Sequence, residues 1–160
     1  MEQIWAPWRM VYIGGDHGGD CVFCGKANSE EDERNLVVLR GEKTFVIMNL
    51  YPYNNGHLLI MPYRHVGEIE DLDEEEMMEL FKMTQKMVNA LRTFNPEGFN
   101  VGVNIGKAAG AGVPGHIHIH VVPRWCGDTN FMPVFGDVIV MSESLEATYK
   151  KIKDALAKKK

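Results

Sequence analysis

The chain predicts an α+β domain, a mainly antiparallel sheet with one long helix and a C-terminal helix, and three observations carry that prediction. Apolar runs of strand length recur between residues 36 and 61, at 99–105 and at 115–123. One strongly periodic helical segment begins at Asp73, and a second, weaker one at Leu145. At 160 residues and 45% hydrophobic content, with no internal repeat or linker, the chain reads as a single domain spanning 1–160.

Taken in order, residues 1–20 carry Trp5, Trp8, Pro7 and four glycines without periodicity, an N-terminal arm that packs on the body or on a second subunit. A pair of cysteines follows in Cys21-Val22-Phe23-Cys24, then a polar loop over Asn28 to Asn35. Leu36–Leu39 and Thr44–Met48 read as strands around a Gly41-Glu42 turn. Asn49 to Gly56 is loop, and His57–Met61 is a strand stopped by Pro62. Asp73 with Glu76 resembles a capping box. Met77, Leu80, Phe81, Thr84, Met87, Val88 and Leu91 then recur at helical spacing until Pro96 closes the element, and the methionines read as core filling. The acidic run Glu68–Glu79 is a solvated face with charge suited to a helix N-terminus. Phe99, Val101, Val103 and Ile105 alternate with Asn100, Gly102 and Asn104 as a strand. The loop Gly106–Gly115 leads into the last strand, Val138–Val140 reads as a short extra one, and 143–160 as a helix on Leu145, Tyr149, Ile152 and Leu156. Its basic end, Lys158 to Lys160, suits a helix C-terminus.

Composition narrows the function. No apolar run approaches membrane-spanning length, and the N-terminal residues lack a signal-type pattern. Three cysteines in 160 residues argue for a reduced compartment rather than a disulfide framework. A net charge of −5 disfavours bulk nucleic-acid binding, so a phosphate-bearing ligand needs local donors. A cytoplasmic protein with neither a membrane nor a nucleic-acid partner is expected.

The chemistry centres on His116-Ile117-His118-Ile119-His120-Val121-Val122. Alternation in an extended chain places three imidazoles on one face and Ile117, Ile119 and Val121 on the other. A half-exposed strand is the bland reading. Imidazole as ligand, nucleophile or acid/base is the functional one. Just upstream, Gly106 to Gly115 is rich in small residues that let backbone N–H groups approach an anion, although it lacks the Gly-Lys-Ser/Thr of a Walker loop. Alone it is a hairpin connection; beside three histidines it becomes a phosphate cradle. The Cys21/Cys24 pair supplies half of a tetrahedral zinc site, for which His65 and His116 are candidate partners. A redox pair or two unligated thiols are the alternatives, and Cys126 reads as a structural or free thiol. The mechanistic rival is a catalytic metal held by His116, His118 and His120 together.

His116 to Val122 resembles the signature of the histidine-triad superfamily. The similarity extends to Asn49, Gly56-His57, Pro62, Arg64-His65-Val66 and Asn104, covering roughly 20–125. The extension Val122 to Pro133 most resembles bacterial members related to diadenosine tetraphosphate phosphorylases. The resemblance implies that His118 attacks the α-phosphorus of a nucleotide to form a nucleotidyl-histidine. It implies that His120 donates to an α-phosphate oxygen, that His57 supports the site, and that Asn104 with Gly110, Ala111 and Gly112 holds the phosphates. Asn49 falls where the family contacts ribose. Zinc-bearing relatives hold a structural zinc at positions corresponding to Cys21, Cys24, His65 and His116, and the family implies a homodimer. Many triad hydrolases carry Gln or Ser just before the triad; here Gly112, Val113 and Pro114 stand there, which favours inorganic phosphate over water as acceptor.

The leading expectation is therefore a zinc-containing nucleotidyl transferase converting an adenine dinucleoside polyphosphate and phosphate to ADP and ATP. The alternatives are a nucleotide hydrolase or phosphoramidase using the same intermediate, and a nucleotide-binding regulator with little turnover.

Overall fold

The computed structural model describes residues 21–136 and 138–158; the N-terminal arm expected over 1–20 lies outside them. Among the described residues the α-helices and strands run in the order α1 (Val22–Asn28), β1 (Val37–Arg40), β2 (Thr44–Met48), β3 (Leu58–Pro62), α2 (Glu74–Leu91), β4 (Gly98–Val103), β5 (Ile119–Arg124), α3 (Met132–Gly136) and α4 (Leu145–Ala157). The strands form one sheet in the order β1-β2-β3-β5-β4, antiparallel at every pairing. The α+β architecture expected from the sequence is the one observed.

Two cores lie on opposite faces of this sheet. On one, Val46, Met48, Leu58, Ile60 and Val121 pack against Leu80, Met83, Met87 and Leu91 of α2 and against Tyr149 and Ile152 of α4. On the other, Phe45, Ile47, Leu59 and Met61 meet Phe23 of α1. Burial from both sides explains why β2 and β3 read as continuous apolar runs instead of alternating ones. The β5–β4 half carries His120 and Asn100, and along β4 the sequence does alternate.

The start of α2 is the capping box expected: the Asp73 carboxylate accepts from the Glu76 N–H at 2.7 Å and Glu76 accepts from the Asp73 N–H at 3.0 Å. Glu76, 3% exposed, also receives two donors from Arg64 at 2.9 and 2.6 Å. That fixes the segment after β3 on which His65 sits. Further along, Glu79 accepts from the Glu42 and Lys43 N–H groups and the Thr44 hydroxyl, tying the β1–β2 turn to the helix.

Val22–Asn28 is a helix that the sequence does not signal: it has one buried residue, Phe23, and no side-chain cap, and is too short to show a period. Three expectations need correction. The last strand forms its ladder only from Ile119, opposite which β4 ends at Val103; His116 and His118 lie in a lead-in where the Ile117 N–H donates to the Val66 carbonyl at 2.7 Å and the His116 N–H to the Val113 carbonyl at 3.2 Å. Met77, Met78 and Phe81 face outward, since Leu80, Met83, Thr84, Met87 and Leu91 already fill the buried stripe of α2. Val138–Val140 forms no strand, and Ile139 and Val140 are exposed. Among the described residues no helix is long and apolar enough to cross a membrane.

Candidate functional site

Pairing sets the site's face. His120 stands opposite Leu59 of β3 and Gly102 of β4, so its ring projects on the α1 side of the sheet. The His118 and His120 rings are 4.9 Å apart between centroids.

His118 is buried, and its Nδ1–H donates to the His116 carbonyl at 2.8 Å. That bond assigns the proton to Nδ1 and leaves Nε2 as a lone pair. Burial holds the imidazole below its ordinary pKa of 6.5, so it is neutral at pH 7. Phe23 lies edge-on to this ring at 5.1 Å and to His116 at 5.6 Å.

His120 is oriented by a chain of donors. The Tyr53 N–H donates to His57 Nδ1 at 3.0 Å, so His57 carries its proton on Nε2 and donates to His120 Nδ1 at 2.9 Å. His120 therefore carries its own proton on Nε2, a buried atom without a partner among the described residues. Burial first, and the neighbouring histidines second, push His57 down to about 3 and His120 to about 4. The three histidines thus present one lone pair and one N–H donor without net charge.

Asn49 adjoins His57, and the glycine loop precedes the triad in the chain. The Asn49 amide nitrogen is 3.3 Å from His57 Nδ1, and its amide oxygen accepts from the Tyr51 N–H at 3.0 Å. Asn104 donates to the Gly110 carbonyl at 3.5 Å. The N–H groups of Gly110 and Ala111 close the loop on itself, through the Lys107 and Gly106 carbonyls. Gly106 and Gly110 take φ of +79° and +88°, so side chains at either position would be strained. The small residues thus build the loop first, which the sequence reading did not distinguish from cradling an anion.

The second cluster is Cys21, Cys24, His65 and His116, whose ligand atoms lie within 4.8 Å of one another. His116 Nδ1 is 3.3 Å from Cys21 Sγ and 3.6 Å from Cys24 Sγ, and His65 Nδ1 is 3.4 Å from Cys24 Sγ. Metal–sulfur bonds of about 2.3 Å and metal–nitrogen bonds of about 2.0 Å at tetrahedral angles put N and S about 3.5 Å apart. The His116 Nε2–H donates to the Pro62 carbonyl at 2.8 Å, leaving Nδ1 for the cluster. The group could hold a metal ion. Metal binding by all three triad histidines finds no support, because His116 turns one ring nitrogen to Pro62 and the other to the cysteines.

The structure thus brings His57, His118, His120 and Asn49 together, and separately unites all four proposed metal ligands. Sequence reasoning missed Tyr53, whose ring stacks on His120 at 5.8 Å and 11°, and Phe23. Tyr53 acts on His57 through a backbone N–H, which no residue pattern reveals. Phe23 had a visible signal, its place between the two cysteines.

Residues 30–126 match the HIT domain. The chain is 39% identical over 157 residues to a Mycobacterium tuberculosis protein described as an AP-4-A phosphorylase, covering 92% of this chain and 80% of that one. It is 37% identical over 84 residues to a bis(5'-adenosyl)-triphosphatase of Dictyostelium discoideum, covering 52% of this chain and 56% of that one. A Zn-bound histidine triad family protein from Mycobacterium smegmatis has a similar structure, with a TM-score of 0.71, 28% identity, and coverage of 87% of this chain and 94% of that one.

Proposed function

The chain belongs to the HIT domain family, and on that premise we propose that it is a nucleotidyl transferase acting at the α-phosphate of dinucleoside polyphosphates. The favoured reaction is phosphorolysis of diadenosine tetraphosphate to ADP and ATP. The observation that carries this reading is the tautomer of His118, with Nδ1–H fixed on a carbonyl and Nε2 unprotonated beside the His120 donor.

In this reading His118 Nε2 attacks the α-phosphorus. A P–N bond forms, the bridging bond to the β-phosphate breaks, and ATP departs. Inorganic phosphate then attacks the same phosphorus, releasing ADP and freeing His118. Imidazole suits both steps because it attacks and leaves well. The His116 carbonyl keeps the Nδ1 proton throughout, facing the positive ring of the intermediate. The His120 Nε2–H donates to the non-bridging oxygen on which charge grows. Asn49 is assigned to ribose. Asn104 and the loop from Gly110 through Ala111 to Gly112 are assigned to the phosphates, with Gly112 supplying a backbone N–H that the loop bonds do not use.

The Cys₂His₂ set fits zinc, and zinc bound there supplies structural cross-linking of α1, the segment after β3 and the lead-in to β5. A cytoplasmic homodimer without a nucleic-acid or membrane partner completes the proposal.

Similarity to the phosphorylase over most of the chain supports phosphate as acceptor, while similarity to the triphosphatase over half of it favours a hydrolase as the second reading. Product analysis with diadenosine tetraphosphate, with and without phosphate, separates them. ADP plus ATP only when phosphate is present is the expected result. AMP plus ATP without phosphate replaces the transferase by a hydrolase, and no turnover in either condition leaves a nucleotide-binding regulator.

A further inference from the structure

The face carrying His118 and His120 continues past them. Val122 and Arg124 take the next even positions of β5, each roughly 7 Å beyond the last. Asn100 stands opposite Val122 as Gly102 does opposite His120. A cavity of about 230 Å³ opens there over Val122, lined by Tyr53, Asn100, Arg124, Asp128 and Thr129 among others.

Its charges are already matched. Arg124 donates to both Asp128 oxygens, at 2.6 and 2.9 Å, and to the Asn100 amide oxygen at 2.8 Å. Asp128 also accepts from Asn54 at 2.7 Å and from the Trp125 N–H at 3.1 Å. Each guanidinium nitrogen is engaged, so the cavity offers no free cation to a phosphate, and the carboxylate would repel one. What it does offer is neutral: the Asn100 amide nitrogen, the Thr129 hydroxyl oxygen as an acceptor (its hydrogen goes to Asp128 at 3.3 Å), the apolar floor of Val122 and the half-exposed ring of Tyr53. A flat heterocycle on a sugar with hydroxyls matches that lining. Tyr53 joins the two sites, since its ring stacks on His120 and also walls the cavity.

We infer that this cavity receives the second nucleoside of a dinucleoside polyphosphate, the end remote from the phosphorus attacked, with its base against Tyr53. The inference rests on the function proposed above. The polyphosphate crosses from His118 past His120, and the uncharged far end settles where the charges are paired. Selection for a two-ended substrate is thereby built into the continuation of β5.

The test compares diadenosine tetraphosphate with adenosine 5'-tetraphosphate, which has the same phosphate chain but one nucleoside. The expected kcat/KM ratio in favour of the two-ended substrate is about tenfold or more, the size of one base–aromatic stack. Asn100→Trp and Thr129→Trp, both at exposed positions, fill the cavity and bring the ratio towards one by lowering turnover of the two-ended substrate. An unchanged ratio in variants whose melting temperature matches the parent overturns the inference, as does equal loss on both substrates. No turnover of either substrate by the parent overturns the proposed reaction itself.

Discussion

The backbone carbonyl of His116 lies 2.8 Å from Nδ1 of His118, while the His116 ring places its own Nδ1 3.3 Å from the Cys21 thiol. One residue therefore belongs to both clusters, its side chain to the candidate metal-ligand group and its main chain to the tautomer of His118. Phe23 reinforces the link, because it sits between Cys21 and Cys24 in α1 and packs edge-on to both rings. Order at the cysteines is therefore coupled to His118 through packing and hydrogen bonding.

Removal of a metal bound by the proposed Cys₂His₂ set should then act through stability. A structural ion present at a thousandfold excess over its Kd contributes about 4 kcal/mol. For a domain of this size that is roughly 8–16 °C in Tm. Chelation, or Cys24→Ser, is expected to lower the melting temperature by that order and to leave part of the turnover intact well below the new midpoint. Complete loss of turnover in the cold, with the circular dichroism unchanged, would instead place the metal in the chemistry.

Substitution of the nucleophile separates an enzyme from a binding module. His118→Asn is expected to reduce turnover at least about a thousandfold while retaining nucleotide affinity. His120→Asn, which removes one donor to the developing charge, should cost about 10²–10³-fold in kcat. Trapped nucleotidyl-protein, detected by intact mass, should form with His120→Asn and be absent with His118→Asn. Equal labelling of both variants would sink the assignment of His118.

Much of this was legible because side-chain identity carries it. The alternation of His116, His118 and His120, the Cys21/Cys24 spacing and the Asp73/Glu76 box each state their chemistry in residue types at fixed offsets. What stayed hidden depends on neighbours distant in sequence. The α1 helix is stabilised by Phe23 entering a core made by β2 and β3, not by a cap or a period of its own. The histidine segment becomes a ladder only where β4 reaches it, at Val103 opposite Ile119. Phe81 stands at helical spacing from Met77, Thr84 and Val88 yet is 68% exposed, because the buried stripe is chosen by the sheet beneath. The loop glycines were legible as small residues, but not as builders of the loop's own bonds.

The metal group and the triad lead-in also meet at Gly67. A Cβ there would lie 2.8 Å from the Pro114 carbonyl oxygen and 3.2 Å from the Gly115 Cα, both backbone atoms without a flexible side chain to yield. Gly67→Ala therefore has to move either the His65 segment or the approach to His116. A cost of about 1–3 kcal/mol is expected. That corresponds to a Tm lower by about 2–12 °C. Metal affinity should fall with it, measured by competition with a chromogenic chelator. Retained affinity in a destabilised variant would show that the strain relaxes away from His65.

Acid should destabilise the protein before its carboxylates titrate. The folded pKa of His57, about 3, lies below the 6.5 of the free side chain, and that of His120 is about 4. Between pH 6.5 and those values the unfolded chain binds protons that the folded chain refuses, so stability is full above about pH 6.5 and falls as pH drops. For the fully buried His57 the slope approaches roughly 1.4 kcal/mol per pH unit. Denaturant melts of chelated protein from about pH 7 to 4 read this without the contribution of metal release. His57→Asn should give a slope shallower by nearly one proton across that window. An unchanged slope would mean that His57 takes up its second proton as readily in the folded chain as in the unfolded one. Its Nδ1 would then carry a hydrogen and could not accept from the Tyr53 N–H.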